Sequence, residues 1–260
     1  MKILVVGRGW VGQKIFNELH SRMHEVVITS HEFAHSIIQH NKYDWIINCA
    51  GVTGVPNVDA CENNKQLTYE GNALFPIELS HVCNTLGIRF AHFSSGCIYE
   101  GDITDVRAKP NFFGSTYSIS KGISDTYLLD TAQVYRIRMP FTGVNENKNT
   151  LSKILYYAKH GKLFEAGYNS LTDLDEAVRV AANLIERGAE NGPYNLVNSG
   201  AVTMHDVVDL LGITPEWFTP EEFIAATVAK RSTCTIPAYE EMRPIQTALQ
   251  IAIDSLLDKK

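Results

Sequence analysis

Tyr117 and Lys121 stand four residues apart in "STYSISK", a spacing that puts both side chains on one helix face. A phenol beside an ammonium is equipped for proton transfer. The positive charge favours the phenolate and is expected to lower the phenol's pKa toward neutrality. Upstream, "HFSSGCIYEG" carries Ser95 and Cys97 where a hydrophobic run ends. If strand geometry continues that far, alternation puts Ser95 and Cys97 on one side and Ser94 on the other. Ser95 is then placed to hydrogen-bond a substrate oxygen together with Tyr117. Two readings of Cys97 stay open, a small buried hydrophobe or a thiol that moves protons.

A second constellation lies at the start of the chain. "GRGWVG" sets Gly7, Gly9 and Gly12 in the G-x-G-x-x-G order, after the apolar run "KILVV" and before the amphipathic "GWVGQKIFNELH". In that context Gly7 makes a tight turn, and Gly9 lets a pyrophosphate approach the amides of the helix N-terminus. Gly12 lets helix and strand pack closely. The expected dinucleotide set is Gly7, Arg8, Gly9, Trp10, Val11, Gly12, Ser30, Ala50, Gly51, Tyr117 and Lys121, with Lys121 at the nicotinamide ribose. The run "EVVITSHEF" lacks an acid at its strand end, where NAD binders hold the ribose 2′-hydroxyl. Arg8 could fork onto a 2′-phosphate, so NADPH is the expected cofactor; a solvent-facing loop residue is the competing reading of Arg8.

Elements that could position these groups follow from periodicity. "KILVV", "EVVIT", "WIINCAG", "RFAHFSS" and "VYRIRMP" read as strands, with helical segments between them. One such helix runs from about Glu32 to His40, and another closes on Gly87 as C-cap. Strand–helix repetition predicts an α/β fold, a Rossmann-type doubly wound parallel sheet. Beyond Pro140 the pattern loosens into a polar loop, a helix "TLSKILYYAKHG" with Thr150 as N-cap, the helix "DEAVRVAANLIERG" and a returning strand in "PYNLVN". Residues from about Ala201 onward read as a mix of short helices. The expected division is a dinucleotide-binding domain over residues 1–142, to which 164–198 return. A smaller C-terminal substrate lobe is expected over 143–163 and 199–260.

The 260 residues are enough for one core with a small appended lobe, and a net charge of -6 argues against nucleic-acid binding. Five cysteines (Cys49, Cys61, Cys83, Cys97, Cys234) form no Cys-x-x-Cys and suit a reducing compartment. The nine histidines show no zinc spacing, so no metal site is expected. No run is long enough for a leader or a membrane span, and a cytoplasmic protein is expected.

Several blocks together carry a resemblance. "GRGWVG", "SSGCIYEG", Tyr117-x-x-x-Lys121 and "TDLDEAV" resemble the extended short-chain dehydrogenase/reductases that act on nucleotide sugars. "NCAGVTGVPNVDACE", "GCIYE", "PNFFGSTYSISK", "RIRMP" and "VAKRS" are similar to the UDP-4-keto-rhamnose 3,5-epimerase/4-reductases, from about Lys2 to past Arg231. The related dTDP-4-dehydrorhamnose reductases differ at the cysteine position. The resemblance implies conversion of UDP-4-keto-6-deoxy-D-glucose to UDP-L-rhamnose, with Ser95, Tyr117 and Lys121 as the reductase triad. It implies Cys97 and Lys153 as the epimerisation pair, although the loop before Lys153 is one residue shorter here. Asn72 would lie near the nicotinamide, Arg231 would meet the pyrophosphate, and Thr53 and Asn57 would join Ser95 in holding substrate. It further implies a homodimer built through the helix carrying Tyr117, and a separate 4,6-dehydratase that supplies the keto sugar. The alternatives are a reductase without epimerase activity, a GDP-fucose synthase-like enzyme, and a non-catalytic regulatory subunit of the same fold.

Overall fold

In the computed structural model, which describes residues 1–165 and 167–258, six strands form one sheet. They are β1 (Lys2–Val6), β2 (Glu25–Thr29), β3 (Trp45–Asn48), β4 (Arg89–Ser95), β5 (Gln133–Ile137) and β6 (Gly192–Asn195). Their order is β2-β1-β3-β4-β5-β6, and every pairing is parallel. Such strands are covered on both faces, which is why "KILVV" and "WIIN" read as unbroken apolar runs. The chain moves outward on either side of the β1–β3 boundary. The strand order therefore reverses there, and the crevice for a ligand opens at the carboxyl ends of those two strands.

The helices, in chain order, are α1 (Trp10–Ser21), α2 (Ala34–His40), α3 (Asp59–Asn63), α4 (Lys65–Tyr69), α5 (Phe75–Leu86), α6 (Thr116–Leu128), α7 (Thr150–His160), α8 (Leu174–Glu186), α9 (Met204–Leu211), α10 (Pro220–Ala226) and α11 (Ile245–Leu257). Strand alternation sorts β1 between two cores. Ile3 and Val5 pack under α1 and α8, with Ile15, Leu19 and Val180. Leu4 and Val6 face Ile38 of α2, Leu79 of α5 and Leu128 of α6. A third core joins Leu151 and Ile154 of α7, Val207 and Leu211 of α9, and Leu249 and Ile253 of α11. Two-residue parallel pairs link distant segments, Gly101–Asp102 with Cys234–Thr235 and Pro140–Phe141 with Thr172–Asp173.

Three sequence expectations shift. Asn149, not Thr150, caps α7: its side-chain oxygen accepts from the Leu151 N–H at 3.0 Å, and its amide donates to the Thr142 carbonyl at 2.8 Å. The helix expected from Glu32 starts as a 3₁₀ turn, His31–Phe33, before α2. The segment beyond Ala201 is not only short helices, because α11 has 13 residues and supplies much of the third core. "PYNLVN" does return to the sheet, pairing as its edge strand with β5, and Gly87 caps α5 with φ +67°. Among the described residues no helix is long and apolar enough to cross a membrane.

Candidate active site

The glycine loop turns from β1 into α1 at the strand-order reversal. Gly7 has φ +110°, and a Cβ on it would lie 2.5 Å from the Ala50 nitrogen. A Cβ on Gly12 would sit 1.8 Å from the Gly7 carbonyl oxygen, so helix and turn can touch only without one. Gly9 faces open space and caps α1 without any side-chain hydrogen bond, which leaves the first helical amides free for an anion. Val11 packs against the core under α1, while Arg8 is exposed and makes no ion pair among the described residues. The cradle therefore has the shape a dinucleotide pyrophosphate needs. At its adenosine end the Ser30 hydroxyl donates to Glu32 at 3.1 Å, an acid three residues beyond the end of β2.

Asn72 does more than border the site. Fully buried, it accepts the Val52 N–H at 2.8 Å, donates to the Val52 carbonyl at 2.9 Å and donates to the Ser120 hydroxyl at 3.2 Å. It thus fixes the loop of Ala50 and Gly51 against α6. Lys121 approaches the same side of Gly51 as Asn72, its ammonium 3.2 Å from where a Gly51 Cβ would be, and donates to the Phe93 carbonyl at 3.2 Å. Burial lowers the Lys121 pKa to about 8, opposed by Cys49 and Asp125. The loop between Gly143 and Asn149 bridges the crevice: Trp10 Nε1 donates to Glu146, and Lys148 donates to the Thr53 hydroxyl at 3.2 Å.

β4 ends at Ser95, and Gly96–Ile98 form a 3₁₀ turn. Ser95 Oγ accepts the Cys97 N–H at 3.1 Å. Strand alternation therefore does not place Cys97; the turn does, by folding the residue back over the serine that caps it. Cys97 and Tyr117 both line one cavity of about 240 Å³, whose wall also includes Arg138, Met139, Lys230 and Arg231. Ser94 points away, donating to Asp125 at 2.7 Å, and Asp125 is held bidentate by the buried Arg136. Burial raises the Tyr117 pKa and Cys97 raises it further, against an opposing hydrogen bond with Ser95. The expected lowering by Lys121 is not seen: the phenol's pKa is raised, because loss of solvent outweighs the other influences on it.

The remaining expected site residues are less concentrated. Arg231 lines the cavity, but its guanidinium grips Asp59 at 2.9 and 3.0 Å and the Ala229 carbonyl at 2.6 Å. Thr53 and Asn57 are not on the cavity wall. The Asn57 side chain accepts the Asp59 N–H at 2.8 Å, shaping the turn into α3. Lys153 is not on the wall either, although Thr150 and Ile154 of the same helical turn are. Burial first, and Lys148 second, lower its pKa. Sequence reasoning missed Arg138, Glu146, Lys148 and Asp59. Each is recruited from far along the chain, and only the charged loop "GVNENKN" carried a local sign of interest.

The chain is 32% identical over 232 residues to a trifunctional UDP-glucose 4,6-dehydratase/UDP-4-keto-6-deoxy-D-glucose 3,5-epimerase/UDP-4-keto-L-rhamnose-reductase of Arabidopsis thaliana, covering 82% of this chain and 34% of that protein. It thus spans about a third of the length of that relative. It is also 32% identical to a bifunctional dTDP-4-dehydrorhamnose 3,5-epimerase/dTDP-4-dehydrorhamnose reductase of the same plant, over 77% of this chain and 71% of that one. The crystal structure of a UDP-rhamnose synthase from Acanthamoeba polyphaga mimivirus superposes with a TM-score of 0.89 at 25% identity, covering 98% of this chain and 99% of the other. With its residues 1–226 matched by the RmlD substrate binding domain, the chain belongs to that family.

Proposed function

We propose that the chain is a nucleotide-sugar reductase that also epimerises, converting UDP-4-keto-6-deoxy-D-glucose to UDP-L-rhamnose with NADPH. One observation carries this reading: Cys97 and Tyr117 line the same cavity, and Lys121 of the same helix reaches the dinucleotide cradle. The ketone at C4 acidifies the protons on C3 and C5. Inversion at each carbon needs one group to remove a proton and another to return it from the opposite face. Cys97 and Lys153 are the proposed pair. Tyr117 and Ser95 stabilise the enolate oxygen on C4. NADPH, when bound, supplies the hydride for C4, and Tyr117 gives the proton to its oxygen. Lys121 holds the nicotinamide ribose. Arg8 meets the 2′-phosphate. Residues 143–163 and 199–260 form the lobe over the sugar nucleotide. There Arg231, once drawn from Asp59, meets the pyrophosphate, and Thr53 and Asn57 border the entry. A 4,6-dehydratase reaction supplies the keto sugar, and the chain acts as a cytoplasmic homodimer.

Lys153's position off the cavity wall favours a second reading, a reductase of a ketone already inverted, in which Cys97 has no chemical task. Incubation of the chain with UDP-4-keto-6-deoxy-D-glucose and NADPH, with NMR identification of the sugar, separates the two. UDP-L-rhamnose supports the first reading. A D-configured 6-deoxyhexose, or no turnover until the inverted ketone is supplied, establishes the second.

A further inference from the structure

Arg138 follows β5 and is 1% exposed, yet among the described residues it pairs with no carboxylate. One terminal nitrogen, Nη1, lies 3.3 Å from Cys97 Sγ, 2.9 Å from the Ser232 hydroxyl and 3.4 Å from the Gly96 carbonyl. The other donates to the Asn169 side chain and to the Ser232 carbonyl at 2.8 Å. Its Nε is buried and has no partner among the described residues. Arg136, two residues earlier, shows the ordinary solution, a buried guanidinium closed by Asp125. Burying a guanidinium against neutral groups alone is unfavourable, so an anionic neighbour is the missing part of the arrangement.

We propose that Arg138 is a positioning residue that orients Cys97 Sγ and stabilises negative charge on it, which makes Cys97 the group that removes the proton. The inference rests on the epimerase reading above. In the step, the carbon–hydrogen bond at C3 or C5 breaks and the sulfur–hydrogen bond forms. The carbon's electron pair moves into the enolate, and the charge passes from sulfur to the C4 oxygen beside the Tyr117 hydroxyl. A proton is then returned from the opposite face, and the thiol gives up its own before the next turnover.

The other titratable groups around the sulfur do not compete for this role. Tyr117 of α6 is held protonated by burial. Cys234 donates its thiol to the Gly96 carbonyl at 3.4 Å, and burial raises its pKa to about 12. Lys230 and Arg231 line the cavity as cations, but Arg231 is closed by Asp59. A charge-assisted N–H···S contact is therefore supplied by Arg138.

The test uses iodoacetamide labelling of Cys97, followed by peptide mass spectrometry at pH 6.5 and pH 8.5. A free thiol's rate falls about fiftyfold between these values, because its anion fraction does. In the unmodified protein the fall should be less than about tenfold, and taking the ratio cancels steric access. Arg138→Gln, which keeps neutral donors, should restore a fall of about fiftyfold, and Arg138→Lys should lie between. A fall of about fiftyfold in the unmodified protein overturns the inference even if neither variant folds. So does an unchanged ratio in folded Arg138→Gln. With keto sugar in deuterated water, Arg138→Gln should slow exchange at C3 and C5 by about tenfold or more with little change in KM. A raised KM alone would assign Arg138 to sugar binding. If labelling behaves as expected but the unmodified protein exchanges neither proton, the epimerase reading fails while the Arg138–Cys97 contact stands.

Discussion

In the proposed reaction the Tyr117 phenol acts as a donor. Burial, Cys97 and a single opposing bond from Ser95 leave it protonated at neutral pH. That is the state required to give a proton to a C4 oxygen. Tyr117→Phe should therefore lower NADPH oxidation by about 10²–10⁴-fold with little effect on NADPH binding, measured by fluorescence titration. A loss below about tenfold would name another donor. Cys97→Ser tests the neighbouring residue. The change is nearly isosteric, but a hydroxyl is far too weak an acid to shuttle protons near neutrality. Exchange of the C3 and C5 protons should slow by about 10²-fold or more, while reduction of a pre-inverted ketone continues. Unchanged exchange would return Cys97 to the role of a small side chain in a wall. The Tyr117–Lys121 spacing and the glycine loop were legible in the sequence because both are local. Arg138 was not, since its partners Asn169 and Ser232 lie 31 and 94 residues away. The Tyr117 shift was misread for a related reason: a neighbouring charge is visible in a helix spacing, whereas burial is a property of the whole fold.

Helix starts carry much of the site, and two of them make opposite demands on charge. α1 begins bare at Gly9, and the exposed Arg8 stands beside its free amides. Steady-state kinetics with each cofactor should favour NADPH in kcat/KM, and Arg8→Ala should narrow that preference mainly by weakening NADPH. A preference for NADH would instead assign the ribose hydroxyl to Glu32, which already takes a hydrogen bond from Ser30. α8 begins with Asp173, whose carboxylate accepts the Asp175 N–H at 3.1 Å and the Glu176 N–H at 3.4 Å. Burial nevertheless raises its pKa to about 6, and Asp175 and Glu176 add to the rise. The folded state therefore binds a proton that the unfolded chain has lost, and stability falls as pH rises between the ordinary 3.8 and about 6. The loss is on the order of 2–3 kcal/mol, complete above pH 6 and absent below both values. Asp173→Asn keeps a good cap without the buried charge, so urea unfolding of the variant should lose this dependence and show equal or greater stability at pH 7. A variant that keeps the slope would place the titration elsewhere. At this scale the sequence revealed which elements exist but not how each begins. It showed a helix after "GVNENKN", while the side chain that caps it is fixed by Thr142, seven residues back. The strand bearing Ser95 was legible too; the turn that ends it before Cys97 was not.

Across the whole molecule, α6 joins the interior chemistry to an exposed apolar surface. Its inner face presents Tyr117 and Lys121, while Ile123 and Tyr127 stand 44% and 63% exposed on its outer side. α6 packs against α4 and the turn Glu70–Leu74, where Leu67 and Leu74 are 56% and 53% exposed. Four large apolar side chains on adjoining elements are more than scattered surface residues require. Two copies meeting there would cover all four and stiffen the helix that carries Tyr117 and Lys121. Covering them would remove apolar surface from water, which favours association at this patch. The protein should sediment as a dimer at micromolar concentration. Ile123→Glu combined with Tyr127→Glu should shift it to monomer by introducing like charges at a symmetric contact. A monomer in the unmodified protein would sink the dimer. A dimer that survives the double substitution would move the contact to another face.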